Sequence, residues 1–197
     1  MAVRVVIAAV LSAIVMFMWG FLYWGVLNVT AKIMEPLPRE ADVLAPLRAA
    51  QTPGGMYVYP GPAESGSDDA AQEEWARKVK EGPIVHMSFR EQGVDPMAPA
   101  MFAKGLAHSF FIALLMGALL AIASPALHGY TRRVGFLVLV SVIAASGTNI
   151  AAVIWWFHSL TYCAGQMVYE IVGGLLIALV IAAIVRTPRS QRITAAM

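Results

Sequence analysis

Apolar residues in this chain gather into four long blocks separated by polar stretches. The first runs from Val5 to Leu27, interrupted only by Ser12 and small residues. The second runs from Gly105 to Ser124 and is closed by Pro125, the third from Val134 to Phe157, and the fourth from Gln166 to Val185. A helix of about 20 apolar residues crosses the hydrocarbon core of a bilayer, about 30 Å thick. Each block is too long and too continuous for a strand, and helices are the only open-chain way to satisfy the backbone in lipid. The pattern therefore predicts an all-α membrane protein: a four-helix transmembrane bundle with a small α+β extracytoplasmic cap between helices one and two. The predicted boundaries are 1–28 for the first span, 29–104 for the cap, 105–124 for the second span and 125–133 for a cytoplasmic loop. The third span follows at 134–157, a short outer loop at 158–165, the fourth span at 166–185 and a basic tail at 186–197.

The cap segment has its own pattern. Glu40 to Ala50 predicts a helix with Val43, Leu44 and Leu47 as an apolar stripe and Pro46 as a kink. Gly54 to Gly61 reads as a short strand bracketed by turn residues, and Ile84 to Phe89 as a second strand stopped by Gly93 and Pro96. Ala70 to Lys80 predicts another helix, with acids ahead of bases as the helix dipole prefers. Two short strands and two short helices bury little surface alone, so the cap is expected to pack on the membrane domain or on a partner.

Composition agrees with the block pattern. Hydrophobic residues make up 59% of the 197 and charged residues 13%, against about 25% charged in soluble domains. The net charge of +2 and the scattered basic residues argue against nucleic acid as a partner. The expected partners are the lipid bilayer and other membrane-protein subunits. Cys163 is the single cysteine, which excludes an internal disulfide and any Cys-x-x-Cys motif. It also excludes the disulfide-exchanging chemistry of four-helix quinone-linked membrane enzymes.

Charge placement predicts the orientation. Arg4 lies at the amino end, Arg132 and Arg133 between spans two and three, and Arg186, Arg189 and Arg192 in the tail, with no acidic residue in any of these segments. The positive-inside rule places all three, and hence both termini, in the cytoplasm. The aromatic residues Trp19, Tyr23, Trp24, Trp155, Trp156, Tyr162 and Tyr169 then mark the outer ends of spans one, three and four, as interfacial anchors should. The first apolar run is longer than a signal-peptide core and lacks a small-x-small site after it, so an uncleaved anchor is expected. Asn28-Val29-Thr30 matches the glycosylation triplet but abuts the membrane and is read as chance.

Few polar side chains fall within the spans. His108, Asn149 and Glu170 lie at nearly one depth, 5–6 Å or so below the outer boundary at about 1.5 Å per residue. Glu170 shares a helical stripe with Gln166, Gly173 and Gly174, and Asn149 one with Ala145 and Ser146. Small residues on these faces allow close helix approach, so both stripes are expected to face the bundle interior. An intramembrane carboxyl is a functional hypothesis by default. Two roles are open to the trio: a proton-handling or ligand-binding pair of His108 and Glu170 oriented by Asn149, or an interhelical hydrogen-bond clamp, which the shallow depth favours. No metal or other cofactor is expected. His86, His108, His128 and His158 show no ligating spacing, and only His108 and His158 could approach one another in the membrane. Gly-x-Ser-x-Gly and phosphate-loop signatures are absent, as is an internal repeat, so no catalytic residue is assigned and a transporter is disfavoured.

The stretch Gly54-Gly55-Met56-Tyr57-Val58-Tyr59-Pro60-Gly61, with Gly82-Pro83, Asp95-Pro96-Met97 and the ending Glu170-Ile171-Val172-Gly173-Gly174 through Arg186, resembles small four-span bacterial inner-membrane proteins of unassigned function. The resemblance covers most of the chain and implies a multi-pass protein of the bacterial plasma membrane with the same four-span plan. It carries over no catalytic residue. One large loop after the first span is also a feature of claudin-like proteins, but a loop without cysteine does not support their disulfide-stapled sheet. The leading expectation is a non-catalytic accessory or scaffold subunit of a larger bacterial membrane complex, with respiratory or photosynthetic electron-transfer assemblies as plausible hosts. The alternative is a small ligand- or proton-handling membrane protein built on His108, Asn149 and Glu170. A third reading, a membrane enzyme acting on lipid or quinone, requires a cavity opening sideways near Glu170.

Overall fold

The computed structural model describes residues 1–64 and 66–186. The described chain is mostly helical, with one small two-stranded sheet. Helix α1 spans Ala2–Gly20 and continues as a π-helical stretch, Phe21–Val26. After a short α2 (Thr30–Ile33) come α3 (Glu40–Ala49), β1 (Gly55–Tyr59), α4 (Asp69–Glu81) and β2 (Val85–Phe89). Three long helices complete the chain: α5 (Pro99–Ala123), α6 (Tyr130–Trp156) and α7 (Leu160–Ile184). Four helices, Ala2–Val26 and α5 to α7, are long and apolar enough to cross a membrane.

The chain divides into two compact units. One comprises Met1–Glu35, Pro96–Val153 and the chain from Ser159 on; the other comprises Pro36–Asp95 and Ile154–His158. In the first unit α1 packs closely on α5 and α7, while α5 and α6 are not close-packed on one another. Its core lies where α1 and α6 begin and α5 and α7 end, around Val5, Ala8, Leu120, Leu137, Ile177 and Ile181. Alanines and glycines let the helices approach: a Cβ on Gly117 would stand 3.0 Å from Val5 Cγ1. In lipid such packing stabilises through dispersion rather than the hydrophobic effect, because the alternative neighbours are equally apolar.

Three long helices start earlier than the apolar blocks predict. α5 begins at Pro99 rather than Gly105, with proline at the first helical position, where a missing N–H costs nothing. α7 begins at Leu160 rather than Gln166, capped by Ser159, whose Oγ accepts from the Tyr162 N–H at 3.5 Å. The outer loop predicted at 158–165 thus shrinks, and Tyr162 becomes helical. α6 begins at Tyr130, just after Gly129 at φ +88°, so Arg132 and Arg133 belong to a first helical turn and not to a loop. In each case the polar residues that break the apolar run are compatible with helix, and the capping signal decides the boundary.

The second unit carries the predicted strand and helix pairs. β1 and β2 run antiparallel, with Tyr57 opposite Met87 and Val58 opposite His86. Two strands alone are marginal, and here the Tyr57 hydroxyl adds a bond to the Pro53 carbonyl at 2.6 Å. α4 is capped by Asp68, which accepts from the Ala71 N–H at 2.9 Å, and stops at Gly82, whose φ of +68° suits glycine. Arg77 bridges Glu74 and Glu81 along its exposed face, each at 2.8 Å. α3 keeps its helix through Pro46, at the loss of one backbone bond.

Candidate functional site

Bordering the core at Met116 and Ile177, the first unit opens into a cavity of about 440 Å³. All four long helices line it. α5 supplies His108, Ser109, Ile112 and Met116, α6 supplies Val140, Ser141, Ala144 and Ala145, α7 supplies Tyr169, Glu170, Gly174 and Ile177, and α1 adds Met16. His108, Ile112 and Ala144 are exposed, so the opening lies on the flank between α5 and α6. The wall is mainly hydrocarbon, with a few convergent polar groups, the usual make-up of a small-molecule site.

Glu170 is the only carboxyl on the lining. Its Oε2 accepts a hydrogen bond of 3.0 Å from Asn149 Nδ2. The same amide nitrogen donates to the Ala145 carbonyl one turn back, also at 3.0 Å, and Asn149 is buried. Asn149 therefore holds the carboxyl from behind while leaving it on the cavity wall. His108 shares the cavity, but among the described residues it makes no hydrogen bond or ion pair with Glu170. Gln166, one turn ahead of Glu170, does not line the cavity.

Because α5 and α7 start early, His108 lies nine residues and Glu170 ten residues beyond the helix starts, about 14 and 15 Å along the axis. Such a group needs either a partner or a ligand, since an ionisable side chain within apolar helices is costly.

Consecutive glycines of α7 bring its neighbours to the cavity. A Cβ on Gly173 would stand 2.7 Å from Met16 Sδ of α1, and a Cβ on Gly174 would overlap Ser141 of α6. Ala145 is fully buried beside them, and Ser146 is half-buried. Only glycine at 174 lets α6 come near enough for Asn149 to reach Glu170.

The aromatic residues of α1 make specific contacts with α7. Trp19 Nε1 donates to the Tyr169 carbonyl at 3.0 Å, and the Tyr23 hydroxyl donates to the Gly165 carbonyl at 2.8 Å. Trp19 stacks on Tyr169 with centroids 6.3 Å apart, and Trp24 lies against the same ring at 5.1 Å. Tyr23, expected as an anchor at the water boundary, is only 5% exposed. It lies in the π-helical stretch, whose wider turn places Tyr23 and Trp24 together against α7. Trp155 and Trp156 are well exposed, and Tyr162 and Tyr169 are half-buried.

The basic residues also divide. Arg4, Arg132 and Arg186 are exposed, whereas Arg133 is buried. Its Nη1 donates to the Val185 carbonyl at 3.0 Å and its Nε to the Gly129 carbonyl at 3.1 Å. Arg133 thus caps the carboxyl end of α7, where a cation suits the dipole. Arg189 and Arg192 lie outside the described residues.

His158, which the sequence left free to approach His108, packs in the second unit against His86, ring centroids 5.8 Å apart, with Trp156 at the same distance from His86. The turn at Phe157, with φ of +55°, directs the chain there. Among the described residues no group of three or more His, Cys, Asp or Glu side chains is placed to hold a metal ion. Sequence reasoning missed the hydrogen bonds of Trp19, Tyr23 and Arg133, since nothing in an aromatic belt or a positive charge says which backbone carbonyl it will find. No family model matches the chain, and neither a curated protein nor a solved structure matches it.

Proposed function

We propose that this chain is a four-span integral membrane protein that binds a small amphiphilic molecule, entering from the bilayer through the flank between α5 and α6. It acts as a binding protein of the bacterial plasma membrane, with both termini in the cytoplasm and the segment between α1 and α5 outside. The observation that carries this reading is the cavity with Glu170 on its wall, hydrogen-bonded to Asn149 and sharing the space with His108. A mere clamp between α6 and α7 requires the Asn149–Glu170 bond but no free volume beside it. The experiment is purification in mild detergent followed by mass spectrometry of small molecules released on denaturation. The wild-type protein should retain a compound that a cavity-filling Ala144→Phe variant loses. Equal recovery from both proteins sinks the reading. Cysteine labelling in a Cys163→Ala background, with single cysteines at Gly61 and Gly129, tests the orientation: only the first should react with an impermeant reagent in intact cells.

A second reading, the accessory subunit of a larger membrane complex, draws on α6. Only 17% of its apolar window is buried, against 33% for α7, and Leu139, Ile143 and Ile150 project outward. Gentle extraction from native membranes that yields a stoichiometric partner supports it. A lone monomer or homo-oligomer counts against it.

A further inference from the structure

We propose that the cavity takes a lipophilic ammonium cation, with its charged nitrogen at Glu170 and its apolar body along the α5 and α6 walls. This rests on the ligand-binding reading above and adds the charge of the ligand. Glu170 is the single carboxyl on the lining, and no lysine or arginine lines it. Its hydrogen-bond partner, Asn149, is a neutral amide that brings no compensating charge. Among the described residues Glu170 makes no ion pair. A carboxyl set in apolar surroundings is stabilised by taking up a proton or a cation, and an amphiphilic cation supplies hydrocarbon for the rest of the wall as well.

Ile112, Met116, Val140 and Ile177 match an apolar body, with the Ser109 and Ser141 hydroxyls and the His108 imidazole as the other polar groups on the wall. The volume of about 440 Å³ is of small-ligand size. A phospholipid head also brings an ammonium group, but it carries a phosphate, for which the lining offers no lysine or arginine. The occupant is therefore a simple organic amine or quaternary ammonium and not a phospholipid.

The test compares three probes of one shape on the full-length protein in a neutral maltoside detergent. They are benzyltrimethylammonium, its uncharged carbon isostere neopentylbenzene, and phenylmethanesulfonate. Wild-type protein should bind the ammonium at least about tenfold more tightly than the isostere. Glu170→Gln should abolish that preference while leaving the isostere within about twofold. Glu170→Asp, which retains the charge but withdraws it, should weaken the ammonium selectively and serves if the glutamine variant does not fold. Equal binding of ammonium and isostere, or preference for the sulfonate, overturns the cationic assignment and leaves the ligand-binding reading standing. Failure of all three probes on monodisperse wild-type protein overturns both. Displacement of the ammonium by added phosphatidylcholine overturns the choice of a simple amine and makes a lipid head the occupant.

Discussion

Asn149 and Glu170 join α6 to α7 through a single hydrogen bond of 3.0 Å, and Asn149 spends its second amide contact on the Ala145 carbonyl of its own helix. The amide is thereby fixed in orientation before it meets the carboxyl. Replacing Asn149 by Ala removes the donor and should lower stability by about 0.6–1.7 kcal/mol, the range for polar contacts between membrane helices. Glu170→Gln keeps a carbonyl oxygen that accepts the same bond, so its cost should be much smaller. Thermal unfolding of the two variants in one detergent checks the order. If Glu170→Gln is the more damaging, the pair is not held by this bond.

Gly173 and Gly174 look alike in sequence but should respond differently to an added methyl group. At 173 the obstacle is the far end of the flexible Met16 side chain; at 174 it is the Oγ and Cβ of Ser141, which have nowhere to go. Gly174→Ala should cost about 1–3 kcal/mol, as overpacking generally does, and Gly173→Ala less than about 1 kcal/mol. Ser141→Gly should restore much of the loss in Gly174→Ala and none in Gly173→Ala. Unfolding midpoints of wild type, the two alanine variants and each of them combined with Ser141→Gly decide the matter.

Arg132 and Arg133 carry the same charge but only the second is buried, with bonds to the Val185 and Gly129 carbonyls. Arg133→Ala should destabilise by about 1.5–3 kcal/mol, the range for hydrogen bonds to charged groups. Arg132→Ala should stay within about 0.5 kcal/mol. Arg133→Lys should recover only part, because an ammonium cannot reach both carbonyls as a guanidinium fork does. Comparable losses at both positions would mean that Arg133 acts only through its charge.

α4 should lose helix in acid. The hydrogen bond from Arg77, then that from Lys78, holds the Glu74 carboxyl below the usual carboxylate range. A carboxyl whose pKa falls on folding stabilises the fold above its unfolded pKa and loses that contribution as pH drops through the folded value. Circular dichroism of a peptide spanning residues 67–82 should therefore show helicity falling as Glu74 protonates. Raised salt should flatten the curve, since Glu74 and Arg77 are both exposed. An Arg77→Ala peptide should show a weaker pH response, and an undiminished one would refute the role given to this pair.

The fold was legible where the chain obeys a period and obscure where one side chain decides. Uninterrupted apolar runs located four long helices, turn residues at Gly54 and Gly61 bracketed the first strand, and Gly93 and Pro96 closed the second. Helix starts were misjudged because Lys104 and Tyr162 look like loop residues, while Pro99 and Ser159 begin the helices. At the site, shared stripes pointed to Asn149 and Glu170, and the structure joins them. The free volume beside them was not readable, because it arises from α5 and α6 standing apart, and spacing along one helix says nothing of distance between two. The neighbour of His158 was not readable for the same reason: its direction follows the positive φ of Phe157.

Successive residues on a helix point about 100° apart, at 3.6 residues per turn. Gly173 and Gly174 are therefore two neighbouring notches on one rod, the first keyed by Met16 of α1 and the second by Ser141 of α6. α1 and α6 are not packed closely together, yet both take their vertical position from the same 1.5 Å step of α7, or about that. Sliding α6 by one turn, about 5.4 Å, would lift Ser141 from its notch and part Asn149 from Glu170 in the same movement. The bundle thus behaves like a lock with one cut per key: the Ser141 notch and the Asn149–Glu170 bond hold α6 at this height, and with it the shape of the cavity beside it.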